Sequence, residues 1–150
     1  MIAMKKACVV YVQGLRDEAG QVAGKLEESG YEVCLHEAST AEATAARDSD
    51  GQVSASLAKC MAGAELCVFL IDAEDQFDFI GVYANAAGVR IVAVMVGKAA
   101  AIGGVLDEVA GAAVTIGSKS LGMVLNGEEV WESPDGNRCE PRDIRRQKCQ

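Results

Sequence analysis

Short, almost wholly apolar segments alternate along the chain with segments that have helical periodicity. The apolar segments have the length of buried strands, and the spacing between them leaves room for helices. They are Ala7 to Val12, Tyr31 to His36, Glu65 to Asp72, Val89 to Gly97 and Ala112 to Ile116. Strand–helix–strand units of this length make neighbouring strands parallel. We therefore predict an α/β fold, a flavodoxin-like three-layer sandwich with a five-stranded, mostly parallel sheet in the order 2-1-3-4-5.

The connections between the strands differ in character. Leu15 to Ser29 carries apolar residues at helical spacing, which predicts the first helix. Glu37 to Asp50 is polar and has no convincing period, so it is predicted to be a long loop. Val53 to Ala64 again has helical spacing, and Asp48 or Ser49 is expected near the start of that helix.

The character of the chain changes after Gly127. Trp131 stands among acidic residues between two turn signals, which predicts a short edge strand or hairpin arm. The last residues are rich in arginine, which would be solvated, brace the acidic body, or contact a phosphate or a partner subunit. We predict one domain over residues 1–127, followed by a C-terminal hairpin or basic tail over residues 128–150.

The composition favours a soluble domain with an aliphatic core. Hydrophobic residues make up 50% of the 150 residues and aromatic residues only 5%, as in a parallel sheet covered by Ala-rich helices. The net charge of -8 argues against binding to nucleic acid or to an anionic membrane surface. No apolar run approaches the roughly 20 residues that cross a bilayer. We expect a cytoplasmic protein.

Of the six cysteines, those in the predicted strands and helix are expected to be reduced, whereas Cys139 and Cys149 in the tail are either solvent-exposed or could pair or react. Cys8, Cys34 and Cys67 lie in predicted strands and Cys60 lies on a predicted helix, so burial as free thiols is the expectation. The chain has no Cys-x-x-Cys pair and a single histidine, which gives a zinc site little support. Neither the dinucleotide-binding fingerprint nor a phosphate loop is complete. We expect no metal and no cofactor.

Acidic residues cluster directly after the third predicted strand, at the edge where open parallel sheets bind ligands. They are Asp72, Glu74, Asp75 and Asp78. Crowded carboxylates can keep one of their number protonated as a general acid, hydrogen-bond ribose hydroxyls, or hold magnesium. Alternatively they form a solvated acidic loop in which Asp78 caps the next helix. Phe77 and Phe79 interleave with the acids, and an aromatic face beside carboxylates would suit a nucleobase above a sugar.

Two other segments are expected at the same edge of the sheet. Gln13-Gly14 ends the first strand, and His36 ends the second. His36 is either a satisfied, partly exposed histidine or a group for proton transfer or base recognition. Tyr83 and Asn85 are the groups on the helix after Phe79 that are able to meet a ligand.

The unit from Glu65 to Gly97 resembles the nucleoside 2-deoxyribosyltransferase-like superfamily, to which TIR-type NAD-cleaving domains are more distantly similar. The matching segments are Ala64-Glu65 before the strand, Asp72 to Asp75 in the acidic loop, Ala86 to Arg90 at the helix exit, and Val10 to Gly14 in the first strand and turn. The resemblance covers about residues 5 to 97.

The resemblance implies an N-glycosidase or deoxyribosyltransferase-like hydrolase acting on a nucleoside, a nucleotide or an NAD-like molecule. The family's glutamate falls on Gly81, so Asp78 is the carboxylate that could stabilise an oxocarbenium-like state instead. Asp75 falls where the family addresses the nucleobase. Asp75 and Asp78 are therefore the expected catalytic residues. The expected ligand-binding residues are Gln13, Gly14, Leu15, His36, Asp72, Phe77, Gly81, Tyr83 and Asn85.

Two other functions stay open. One is a catalytically silent nucleotide-binding or signalling module that kept the pocket and lost the glutamate. The other is a TIR-like protein-interaction domain that works through its helices and the Arg-rich tail. The resemblance also implies a homo-oligomer in which a neighbouring subunit completes the site.

Overall fold

The computed structural model describes residues 5–45, 54–72, 76–97, 104–132 and 138–139. The strands are β1 (Lys5–Val12), β2 (Tyr31–Ala38), β3 (Leu66–Ile71), β4 (Arg90–Met95), β5 (Ala112–Thr115), β6 (Trp131–Glu132) and β7 (Arg138–Cys139). The helices are α1 (Arg16–Glu28), α2 (Thr40–Thr44), α3 (Ala55–Met61), α4 (Asp78–Ala86), α5 (Gly104–Val109) and α6 (Leu121–Leu125). None of these helices is long and apolar enough to cross a membrane.

The strands form one sheet in the order β2-β1-β3-β4-β5-β6-β7. Neighbouring strands from β2 to β6 are parallel, and β7 pairs antiparallel with β6. The predicted α/β class and the order 2-1-3-4-5 are therefore confirmed, and the fold is flavodoxin-like with a C-terminal extension. The predicted edge segment around Trp131 adds β6 beside β5, where Trp131 is in register with Ala113.

Helices cover both faces of the sheet and create two cores. Phe69 and Ile71 of β3 face the core beneath α2, α3, α4 and α5. Val68 and Leu70 alternate with them and face the core beneath α1 and α6. Every residue of β3 is buried, because a central parallel strand is covered on both sides. This explains why the strand reads as a continuous apolar run rather than an alternating pattern.

The segment predicted to be a loop from Glu37 to Asp50 begins differently. The strand β2 continues to Ala38, and α2 follows at once. Ser39 and Glu42 form a capping box, in which the Glu42 N–H donates to Ser39 Oγ at 3.1 Å and the Ser39 N–H donates to Glu42 Oε1 at 3.0 Å. The Ser-x-x-Glu signature is visible in the sequence, but a helix of 5 residues is too short to show a period.

The helix α3 is shorter than predicted and begins at a different cap. Ser54 is its N-cap and accepts a hydrogen bond from the Leu57 N–H at 3.2 Å. The predicted starting residues Asp48 and Ser49 lie outside the described residues. Leu57 and Cys60 are buried against the sheet, which fixes the face that α3 presents to the core.

A disulfide bond joins Cys34 on β2 to Cys60 on α3. The expectation that these two cysteines are free thiols is therefore wrong, because the packing of α3 on β2 brings their Cα atoms to 5.5 Å, within bonding range. Cys8 and Cys67 are free thiols, and both are buried. Burial, together with the hydrogen bond to Cys8 and the charge of Cys8, raises the pKa of the Cys67 thiol, so that thiol stays protonated.

Candidate functional site

The strand order defines where a ligand should bind. The chain leaves β1 for β2 on one side and returns to β3 on the other side of β1. The carboxyl ends of β1 and β3 therefore flank the topological switch point, where open α/β sheets bind ligands. Gln13 and Gly14 follow β1 in a short 3-10 turn and are exposed. Asp72 follows β3 directly.

Asp72 and Gln76 hold each other at the end of β3. The Asp72 N–H donates to Gln76 Oε1 at 2.9 Å, and Gln76 Nε2 donates to Asp72 Oδ1 at 2.8 Å. The two bonds tie together the ends of the acidic loop, whose predicted catalytic residue Asp75 lies outside the described residues. Each side chain has a second polar position, a carboxylate oxygen or an amide N–H, with which it could bind a ligand.

Arg16 stands next to this edge and was not predicted as a site residue. It is the first residue of α1, and its Nη2 lies 2.6 Å from Glu37 Oε1 at the end of β2. The hydrogen bond and the charge of Glu37 raise the pKa of Arg16, so the guanidinium is always charged. Its side chain is 68% exposed, which leaves it accessible to an anionic ligand.

Asp78, the other predicted catalytic carboxylate, has a structural partner. It is the first residue of α4, and its Oδ1 accepts a hydrogen bond from the Val105 N–H at 3.1 Å. Val105 is in the first turn of α5, where the backbone N–H groups have no partner within the helix. The Asp78 side chain therefore caps α5 from a neighbouring helix.

Gly81 lies on α4 and is buried where this helix packs against α5. A Cβ built on Gly81 would lie 3.0 Å from Val105 Cγ1 and 3.4 Å from Leu106 Cδ2. The distance to Val105 is tighter than most Cβ contacts, so the Val105 side chain would have to give by a few tenths of an ångström, whereas the distance to Leu106 is at the edge of ordinary van der Waals contact. A glutamate at this position would also bury its carboxylate among apolar side chains. The glycine therefore has a packing reason.

Leu15 and Phe77, both expected among the ligand contacts, lie in the core. Leu15 is buried beneath α1. Phe77 is fully buried, with its ring centroid 5.4 Å from that of Phe69. Its left-handed backbone (φ 63°) is unusual for a bulky residue, and its N–H donates to the Ala43 carbonyl at 2.8 Å. The Phe77 ring is thus occupied inside the protein rather than presented to a nucleobase.

Tyr83 and Asn85 lie farther along α4, away from the carboxyl edge. Asn85 is seven positions after Asp78, which corresponds to about 10 Å along the helix axis. Tyr83 is partly buried and packs on the core, whereas Asn85 is exposed. The fold gathers Gln13, Gly14 and Asp72 at one edge but does not bring Asn85 to it.

His36 is buried between α2 and α3, where sequence reasoning expected a partly exposed residue. Its Nε2 lies 3.2 Å from Glu42 Oε2, and its Nδ1 lies 3.4 Å from Ser56 Oγ. The His36 side chain is 6% exposed. Glu42 and Ser56 were not predicted as site residues. The capping signature would have found Glu42, but nothing local in the sequence marks Ser56.

The Glu42 carboxylate is held ionised by its neighbours. Partial burial is the largest single influence and opposes ionisation. The Ser39 N–H, the charge and hydrogen bond of His36, and the hydroxyl of Ser54 together outweigh it and lower the pKa of Glu42. An ionised Glu42 accepts hydrogen bonds only. His36 Nε2 therefore carries the proton that points at Glu42.

The described ranges contain no group of three or more His, Cys, Asp or Glu side chains that could hold a metal ion. No family model matches the chain, and no curated protein matches it either. The resemblance to the deoxyribosyltransferase-like proteins therefore stays a prediction from the sequence.

Proposed function

We propose that this protein binds a nucleoside or nucleotide at the carboxyl edge of β1 and β3, as a module of the deoxyribosyltransferase-like type. The observation that carries the proposal is the reciprocal Asp72–Gln76 pair beside the switch point. A carboxylate and an amide held in one orientation suit the hydroxyls of a ribose or the edge of a base. Gln13 and Gly14, exposed after β1, lie at the same carboxyl edge of the sheet and would contact the ligand from the neighbouring strand.

Arg16 supports a phosphorylated ligand over a free nucleoside. Its planar guanidinium carries a fixed positive charge and can bind two phosphate oxygens at once. It stands directly after the Gln13–Leu15 turn and is largely exposed. The proposed ligand is therefore a nucleoside monophosphate or a larger nucleotide with its phosphate toward Arg16.

Binding without cleavage is the form of the proposal that the packing favours. N-glycosidic cleavage needs a carboxylate to stabilise or trap the oxocarbenium-like sugar. The position that the resemblance gives to a glutamate is Gly81, which is packed against Val105. Asp78 is engaged at the start of α5. The second candidate is an N-glycosidase in which Asp75 or Asp78 supplies the carboxylate, and the acidic loop after Asp72 is the feature that favours it.

A thermal-shift and affinity comparison tests the proposal. Deoxynucleoside monophosphates, the matching nucleosides and NAD would each be titrated into the wild type, Gln76→Ala and Arg16→Ala. We expect Gln76→Ala to weaken binding of every ligand about tenfold or more, because the ligand loses its hydrogen bond to the amide and the Asp72 carboxylate is no longer held in its orientation. Hydrogen bonds that involve a charged group have this magnitude. Arg16→Ala should weaken the monophosphates and leave the nucleosides unchanged.

Gln21→Ala is the matched control for Gln76→Ala. It removes an exposed amide on α1, away from the Asp72–Gln76 pair, and should leave every affinity unchanged. Equal affinity of the wild type and Gln76→Ala for a bound nucleotide would place the ligand elsewhere and contradict the proposal. Absence of binding by all three ligand classes would contradict it as well.

A further inference from the structure

His36, Glu42 and Ser56 form a hydrogen-bonded chain that nucleotide binding at the switch point does not use. They come from β2, α2 and α3, so the fold alone brings them together. We propose that Ser56 is the nucleophile and His36 the general base of an acyl-transfer site, with Glu42 as the residue that positions His36. The proposed substrate class is a small carboxylic ester, which is hydrolysed to an acid and an alcohol.

The proton positions fit these roles. Ionised Glu42 accepts a hydrogen bond from His36 Nε2 across 3.2 Å. In the neutral imidazole that carries its proton on Nε2, the other ring nitrogen is an acceptor. That nitrogen, Nδ1, lies 3.4 Å from Ser56 Oγ. A nucleophile, a base within reach of it and a third group that orients the base are the geometric signature of an activated serine. Contacts of this kind are often longer before a substrate is bound.

Rigid neighbours hold the base and the carboxylate in place. His36 is buried and lies on the sheet. The Glu42 Oε1 atom is fixed by the Ser39 N–H in the capping box, which leaves Oε2 directed at His36. Ser56 is exposed on α3, so its hydroxyl is open to a substrate while the base behind it is shielded from water.

The disulfide bond fixes the distance between nucleophile and base. Cys34 lies two residues before His36, on the same face of β2, and Cys60 lies four residues after Ser56, on the same side of α3. The Cys34–Cys60 bond and the His36–Ser56 contact therefore lie next to each other and join the same strand and helix. The disulfide bond next to the His36–Ser56 hydrogen bond limits how far α3 can move from His36.

The reaction needs water as its only co-reactant. Ser56 Oγ attacks the ester carbonyl carbon and passes its proton to His36 Nδ1. The carbon–alkoxy bond then breaks, and the departing alkoxide takes the proton from Nδ1. Water attacks the acyl-Ser56 carbonyl and gives a proton to Nδ1, and the carbonyl–Oγ bond breaks. The proton returns to Ser56 Oγ as the carboxylic acid leaves.

Labelling of the full chain with diisopropyl fluorophosphate, followed by peptide mass spectrometry, tests the proposal together with hydrolysis of p-nitrophenyl butyrate. At an activated serine the reagent forms an Oγ–phosphorus bond and releases fluoride, and peptide mass spectrometry identifies the labelled residue. We expect one adduct, on Ser56, and ester hydrolysis that falls at least about 100-fold in Ser56→Ala and in His36→Gln. Ser56→Ala changes only an exposed hydroxyl, so its fold can be checked independently by its unfolding midpoint.

Four further variants separate the proposed roles. Ser29→Ala, at the end of α1, is the matched serine control and should retain full activity. Glu42→Gln should lower the rate, and Glu42→Asp should restore part of it, because a carboxylate rather than bulk is needed beside Nε2. Lys59, three residues after Ser56, has the spacing of a Ser-x-x-Lys pair, and Lys59→Ala should retain activity.

Two results overturn the proposal. One is the absence of an adduct on Ser56 together with equal hydrolysis by the wild type and Ser56→Ala. The hydrogen bonds among Ser56, His36 and Glu42 would then serve only to hold α3 on β2. The other is loss of activity in Lys59→Ala with retention in His36→Gln, which would make lysine the base. Nucleotide affinity should be the same in Ser56→Ala and the wild type, so the two proposals fail separately.

Discussion

Gly81 on α4 lies so close to Val105 on α5 that an added Cβ would be 3.0 Å from Val105 Cγ1. The position to which the sequence resemblance assigns a glutamate is thus a helix-packing position. A packing role and a lost catalytic role predict different mutational behaviour. Only the packing role makes the effect of a side chain at Gly81 depend on Val105.

Gly81→Ala is expected to lower the free energy of unfolding by about 1 kcal/mol. Overpacking a core costs typically 1–3 kcal/mol, and the gain in helix propensity over glycine offsets about 1 kcal/mol of it. In a Val105→Ala background the clash is gone, so the same change should stabilise the protein. Urea unfolding of the four proteins of this cycle measures the coupling. An equal effect of Gly81→Ala in both backgrounds would show that the contact has no energetic consequence.

Asp78→Ala should lower the free energy of unfolding by about 1 kcal/mol, the typical effect of losing a helix cap. Asp78→Asn retains an oxygen that can accept the Val105 N–H and should cost less. Chemical denaturation of the three proteins checks this order. If Asp78→Ala is as stable as the wild type, the carboxylate has no capping role, and the glycosidase assignment of Asp78 gains support.

Reduction of the Cys34–Cys60 bond should destabilise the protein by about 3 to 4 kcal/mol. The two cysteines are 26 residues apart, and closing a loop of this length in the unfolded chain gives an effect of that size. Urea unfolding with and without a phosphine reductant measures it. The control is the double variant Cys34→Ala, Cys60→Ala, whose midpoint the reductant should leave unchanged. An equal urea midpoint of the wild type with and without the reductant would contradict the presence of the disulfide bond.

The Glu42 contacts predict a stability difference that depends on pH in the acidic range. Folding lowers the pKa of Glu42 below its ordinary value of 4.5, so the unfolded chain binds the proton more tightly. The resulting stabilisation is complete above that ordinary value and disappears as the pH falls through the lower pKa of the folded state. The wild type should therefore exceed Glu42→Gln in urea midpoint at pH 7, and this difference should shrink as the pH falls to 3. A difference that stays constant would exclude ionisation of Glu42 as its source.

The strand order could be predicted from the sequence, whereas the contacts of the site could not. β3 is apolar at every position from Leu66 to Ile71, and a pattern of this kind can be recognised without knowledge of tertiary packing. Ser56 and His36 meet only because α3 packs on β2, and the Cys34–Cys60 bond depends on the same packing. Phe77 stands among acids in the sequence but is buried against Phe69, because a large aromatic side chain gains more from the core than from an exposed loop.

The acidic loop shows the same limit at the level of single groups. Asp72 and Asp78 were grouped by their spacing along the chain. In the fold they serve different partners, since Asp72 binds Gln76 and Asp78 caps α5 through the Val105 N–H. Spacing alone predicts that carboxylates reach one edge of a sheet, but their hydrogen-bond partners depend on which neighbouring helices begin there.

Calorimetric titration of a deoxynucleoside monophosphate, with chromatography of the same sample for free base, tests the central claim most directly. We predict saturable heat of binding in the wild type, at least tenfold weaker binding in Gln76→Ala, and no free base in either. Release of base by the wild type that is lost in Asp78→Asn or Asp75→Asn would contradict binding without cleavage and make the protein an N-glycosidase.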